Sequence, residues 1–188
     1  MGAERYSIDP DMSRFTVRVS ASGMLSAFGH NPTIAIRDFS GEATFDPDTL
    51  DRAELHLRVK SSSLAVTDNV SDKDRREIER TMNQEVLETE RYPEIVFNSS
   101  KVSASKAGDG QYWVNLVGDL SMHGVIGTQP VAAQIALLGD TLRAFGEFVL
   151  RQTNYGIRQV SVAGGTLKVK DELKCSFDIL ARKQPNQT

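Results

Sequence analysis

Apolar and polar residues alternate with a period of two along most of the chain. From Arg14 to Ser20, Phe15, Val17 and Val19 fall on one side and Arg14, Thr16, Arg18 and Ser20 on the other, which predicts a strand with one buried face. The same period returns at Ala53, Leu55, Leu57 and Val59, and at Tyr112, Val114, Leu116, Leu120 and Met122. It continues at Val131, Ala133, Ile135 and Leu137, at Leu142, Ala144, Phe148 and Leu150, and at Leu173, Cys175, Phe177 and Ile179. Between Ile34 and Phe45 the phase slips, Ile34 and Ile36 being even and Phe39, Ala43 and Phe45 odd, so a bulge is expected near Arg37-Asp38. Turn-forming stretches at 46–51, 106–110, 138–141 and 163–165 separate the runs, and loops this short imply antiparallel neighbours.

One segment departs from this period. In residues 71–87, Ser71 stands three residues before Asp74, and Ile78, Met82 and Val86 recur every four residues, which predicts a helix of three or four turns packed by one narrow stripe. Its remaining faces mix Asp, Glu, Lys and Arg, as a solvated surface does. Trp113 falls out of phase with the inward set on its strand and is expected to pack under this helix. The pattern is that of one all-β domain spanning 1–188 with a helical insertion at 71–87. About eight strands of antiparallel character fit a sandwich or a closed barrel, and a barrel of that size is either filled by side chains or holds one small ligand.

With 22 Lys+Arg against 25 Asp+Glu and a formal net charge of -3, no net positive field is available to hold nucleic acid. No run approaches the ~18 apolar residues of a membrane-spanning helix. The start of the chain lacks the basic and apolar regions of a signal peptide, and the expected compartment is cytoplasmic, or periplasmic or secreted if a leader was removed. The lone Cys175 lies in phase with Leu173 and Phe177 and reads as a small buried hydrophobe.

Candidate chemistry is sparse. His123, in "LSMHGVIGTQPV" (120–131), follows the inward Met122 and is expected to rim a turn, and His56 lies on the charged side of its strand. His30, between Phe28-Gly29 and Asn31-Pro32, has the turn composition that brings a side chain to a barrel mouth. No metal-ligand spacing, nucleophile elbow, phosphate loop or dinucleotide fingerprint is present, so no metal, cofactor or catalytic residue is assigned. The best polar constellation is Arg151, Asn154 and Tyr155, where a guanidinium at a strand end could hold an anionic headgroup beside an amide and a phenol. By alternation Phe15, Val17, Phe39, Phe45, Leu55, Leu57, Phe97, Leu116, Met122, Phe148 and Phe177 face the interior, as core or as the apolar wall of a ligand site.

Several stretches together resemble the YceI-like family: "YSIDPDMSRFTVRV" (6–19), "FSGEATFDPD" (39–48), "SSSLAV" (61–66), "RYPEIVFNSS" (91–100), "VGDLSMHGVIGTQPV" (117–131) and "RQTNYGI" (151–157). Each alone is ordinary strand or turn grammar, but six in the family's order are not. The 117–131 stretch departs from the family by two additional residues and by Gln129 where a basic residue is common. The resemblance implies an extended eight-stranded antiparallel lipocalin-like β-barrel. It also implies a hydrophobic small-molecule partner, a fatty-acyl or polyisoprenoid lipid of quinone or prenyl-phosphate type, bound, stored or transported with its tail inside and its head near an opening. The residues themselves offer His30, which stands where many relatives have other residues, and Arg151, Asn154 and Tyr155 as candidates for that headgroup contact. Two other readings stay open: a barrel-mouth hydrolase using His30 or His123 as general base with Arg151 steadying an anion, and an interaction module with a filled core. Barrel edges and an exposed aromatic also make a homodimer an expectation.

Overall fold

The computed structural model describes residues 2–22, 32–50, 53–162 and 167–185. Strands β1 (Glu4–Ile8), β2 (Arg14–Ser22), β3 (Thr33–Ile36), β4 (Phe39–Phe45), β5 (Glu54–Lys60) and β6 (Leu64–Val66) precede helix α1 (Asp72–Thr81). Strands β7 (Glu94–Gly108), β8 (Gln111–Met122), β9 (Val125–Leu138), β10 (Thr141–Arg151), β11 (Ser161–Val162) and β12 (Leu167–Lys183) follow it. Antiparallel ladders run in the order β1-β4-β5-β7-β8-β9-β10-β12, and β12 pairs back onto β1 with Tyr6 opposite Lys183. The sheet is thus a closed barrel of eight strands, the alternative to the sandwich that periodicity left open.

Three pairs of strands are single passes interrupted by a bend: β1 and β2 around a 3-10 turn at Pro10–Met12, β5 and β6 around another at Ser61–Ser63, and β3 and β4 at Arg37 and Asp38. The last bend is the expected phase slip. Beyond the bends, β2 continues along β12, β3 lies on β2 and β6 on β3. β7 begins at Glu94, opposite Lys60, so β6 has no strand on its far edge among the described residues. A strand edge left open exposes backbone donors and acceptors, and here α1 covers them. The Val66 N–H donates to Glu79 Oε1 at 2.9 Å, while the Arg75 guanidinium donates to the carbonyl oxygens of Val66 and Asp68. Arg75 and Glu79 are four residues apart and share one helix face.

The helix begins at Ser71, whose Oγ accepts from the Asp74 N–H and donates to the Asp74 carboxylate. After Thr81 it widens into a π turn over Met82–Val86, and the predicted stripe of Ile78, Met82 and Val86 faces the barrel interior. His123 fastens the segment that follows. Its backbone sits at φ 53, with Nε2 2.7 Å from Glu88 Oε2, Nδ1 3.2 Å from the Tyr155 carbonyl oxygen, and its ring 4.7 Å from that of Tyr92. The expected rim position is therefore a clasp between the β8–β9 turn, the end of the helical segment and the turn after β10.

The opposite end of the barrel is sealed by Tyr6, Phe45, Tyr112, Leu142 and Ala181, with the Phe45 and Tyr112 rings edge to face at 5.1 Å. Trp113 belongs to this end and to the outer surface, 53% exposed, so it does not pack under the helix as expected. Its neighbours on the outer face are Gln134 and, one strand further, Phe145.

Glu4 joins the two strands that close the barrel, accepting from Lys183 Nζ at 2.5 Å and Tyr6 Oη at 2.8 Å. The lysine contact, then the tyrosine, holds its carboxyl below the usual carboxylate range. A depressed folded pKa stabilises the protein above the unfolded value, and that contribution disappears as pH falls through the depressed one. Glu4→Gln should therefore melt several degrees below the unsubstituted protein at neutral pH, and the two curves should converge in acid. Glu79→Ala should leave the Val66 N–H unpaired at a cost of about 1–3 kcal/mol, and amide exchange should accelerate in 72–86 while the β7–β12 amides keep their protection.

Candidate functional site

Inward-facing residues from every strand of the ring surround one cavity of about 1500 Å³, larger than the several hundred Å³ usual for small-molecule pockets. Its length follows from the strands. Twelve residues of β8 at ~3.3 Å each, tilted by about 40°, give a barrel roughly 30 Å tall. Two glycines help keep the lumen open. A Cβ at Gly118 would lie 2.5 Å from the Phe97 ring, and one at Gly146 2.9 Å from that of Phe177, so both rings lie against the wall where a neighbouring strand lacks a side chain. Phe15 meets Phe39, Phe148 and Phe177 edge-on with centroids 6.3 to 6.4 Å apart, which lines one side of the barrel with aromatic carbon.

Of the interior residues singled out by alternation, Phe15 and Val17 on β2, Phe45 on β4, and Leu55 and Leu57 on β5 border the cavity. So do Phe97 on β7, Leu116 and Met122 on β8, Phe148 on β10 and Phe177 on β12. Phe39 does not: it is buried behind Phe15 with Ile36 and Val59. Cys175 is 4% exposed on the same wall, and burial pushes its thiol up to about 12, so it is an apolar wall element and not a nucleophile at neutral pH.

The polar constellation does not converge on the cavity. Strand alternation that turns Leu150 inward turns Arg151 outward, where it is exposed and ion-paired with Glu172 at 2.7 Å. Asn154 is exposed in the 3-10 turn Gln152–Tyr155. Tyr155 is 1% exposed and packs in the core against Leu87, Met122 and Ile157, its ring over Gly127, without bordering the lumen. His56 is exposed beside Asn98, and His30 lies outside the described residues. His123 and Arg151, the base and the anion holder of a barrel-mouth hydrolase, are committed to Glu88 and Glu172 and do not border the cavity. Among the described residues, no group of three or more His, Cys, Asp or Glu is placed to hold a metal.

The polar groups that do border the cavity are others. Asp68, Asn69, Asp74, Glu77 and Thr81 stand at the helix end, Thr44 and Glu54 near the sealed end, Gln129 on β9 and Gln152 in the turn after β10. Periodicity places Gln129 in phase with Val131 and Ala133. The acidic residues of α1 carried no such signal, because a helix's charged face looks the same over a cavity as over solvent.

Comparison with known proteins places this geometry. A UPF0312 protein of Photorhabdus laumondii is 30% identical over 171 residues, 90% of this chain and 75% of that protein, and a UPF0312 protein of Pseudomonas savastanoi is 23% identical over 189 residues, 96% and 88% of the two chains. The crystal structure of Burkholderia cenocepacia BcnA superimposes with a TM-score of 0.68 at 18% identity, covering 92% of this chain and 98% of that one. A polyisoprenoid binding domain from Saccharophagus degradans superimposes with a TM-score of 0.66 at 16% identity, covering 95% and 98%. Residues 6–181 match the pattern of the YceI-like domain, and the chain belongs to that family.

Proposed function

We propose that this protein binds a long-chain amphiphile of the polyisoprenoid class inside the barrel, for storage or transport and without chemical conversion. The observation that carries this reading is the large apolar lumen, closed by packed side chains at one end and bordered by a helix at the other. A solid interior would have favoured a module that acts only through its surface. The polyisoprenoid binding domain of Saccharophagus degradans, which shares the fold, supports the choice of ligand class.

Energetics point the same way. At about 24 cal/mol per Å³, a dry void of this volume would cost on the order of 36 kcal/mol, more than twice the net stability of even a stable domain. Water fills such a space poorly, because each buried molecule wants two to four polar partners and most of this wall is carbon. An alkyl or prenyl chain replaces the missing contacts, and about ten buried methylenes yield roughly 8 kcal/mol before the cost of ordering the chain. Affinity can therefore come from the tail, without a charged anchor.

Native mass spectrometry of gently purified protein should show one equivalent of lipid, and a solvatochromic dye bound in the lumen should be displaced saturably by prenyl alcohols. Val131→Trp, which places an indole in the cavity, should leave the circular dichroism unchanged and weaken displacement at least about tenfold, the equivalent of 1.4 kcal/mol. Lipid-free protein with no saturable uptake would refute the reading.

A further inference from the structure

The polar end of the ligand can be argued from the chemistry of the wall, given the reading above that the lumen holds an amphiphile. Among the described residues that border the cavity, every ionisable Asp, Glu, Lys or Arg is a carboxylate: Asp68, Asp74 and Glu77 stand at the helix end, while Glu54, out of phase with the inward Leu55 and Leu57, is exposed. Nearby cations are turned to other work. Arg75 donates to the backbone of Val66 and Asp68, Arg80 pairs with Glu77 and Glu85, and Arg151 with Glu172. Lys73 and Arg76 are exposed on α1 and do not border the lumen. Arg80 offsets the charge of Glu77, but among the described residues Asp68 and Asp74 form no ion pair. They accept only from the Thr33 N–H and the Ser71 hydroxyl.

Two buried amides of the wall have donors already engaged. Gln129 is 7% exposed, and both hydrogens of its amide are spent, on the carbonyl oxygens of Pro130 at 2.9 Å and Val149 at 3.2 Å. Its carbonyl oxygen receives no hydrogen bond among the described residues, so a ligand meets Gln129 as an acceptor. Gln152, 5% exposed, gives one of its two amide hydrogens to the Lys170 carbonyl at 3.0 Å. A phosphate or carboxylate brought into this lumen would lose its hydration, find few donors and face like charge. A hydroxyl or ammonium would find acceptors in Asp68, Asp74 and the Gln129 carbonyl oxygen.

We propose that the cavity selects amphiphiles whose polar end donates hydrogen bonds and carries no negative charge, a long-chain alcohol or amine, and rejects the phosphate ester of the same tail. The test is displacement of Nile red from the whole protein by three compounds with one prenyl tail, the alcohol, the amine and the monophosphate, each below its micelle concentration. The alcohol and the amine should displace the dye at concentrations at least about tenfold below the phosphate, since each tenfold step needs only a modest like-charge contact in a partly desolvated site. In D68N/D74N, which removes both charges and leaves one acceptor oxygen beside a donor NH2 at each position, the phosphate should gain and the gap should narrow. If that variant does not fold, Asp74→Asn alone serves. Phosphate binding as tight as the alcohol's, or a gap unchanged in a folded variant, overturns the selectivity while leaving the lumen a lipid site. Failure of all three compounds to displace the dye overturns the lipid-binding reading and this inference with it.

Discussion

Everything in this structure depends on the sheet meeting itself. β12 offers one edge to β10 along eleven residue pairs and its other edge to β2 and then β1, so the hydrogen-bond ladder has no terminal strand over most of the barrel's height. A wall whose backbone is satisfied by its own neighbours does not need a packed interior to keep its shape. Side chains can then lie along the wall, as Phe97 and Phe177 do over Gly118 and Gly146, and leave a lumen that an open sheet would have closed by collapse. The hollow follows from the closure.

The ladder ends at the outer edge of β6, and α1 covers that edge. β6 ends where β7 has not begun, and Arg75 and Glu79 of α1 satisfy the Val66 carbonyl and N–H that a further strand would have taken. The same helix turns Ile78, Met82 and Val86 to the lumen, so one short element covers the backbone edge with polar side chains and the cavity with apolar ones. His123 holds the far end of that segment through Glu88, at a turn where its φ of 53 costs backbone energy that the contacts to Glu88, Tyr92 and Tyr155 offset.

Much of this was legible in the sequence, and the remainder was not for identifiable reasons. Alternation located the strands and nearly the whole apolar wall, because facing a lumen and facing a core impose the same period of two. The slip at Arg37-Asp38 and the Ser71 cap were legible because bends and caps are local events. Phe39 shows the limit, since the period tells which side a ring takes and not whether Phe15 stands between it and the cavity. Arg151 was assigned by residue type at a strand end, although parity with Leu150 sends it outward to Glu172. Trp113 was misplaced for want of a second parity. The turn that precedes its strand lies at the end of the barrel opposite α1, so an out-of-phase residue there could not reach the helix.

The least legible features are the ones that matter most for recognition. Tail binding needs only volume and carbon, which any barrel sequence can supply, and so it leaves no motif. Head recognition rests on which oxygens and nitrogens remain unspent at the wall, a property of three-dimensional hydrogen-bond accounting and not of composition. Gln129 reads in the sequence as an amide with two donors. In the folded barrel both are consumed by Pro130 and Val149, and the residue becomes an acceptor. Asp74 reads as part of a solvated helix face, yet the seam that draws α1 onto β6 brings it, with Asp68, to the lumen. The ladder edge that the helix covers thus also determines the sign of the charge a ligand meets.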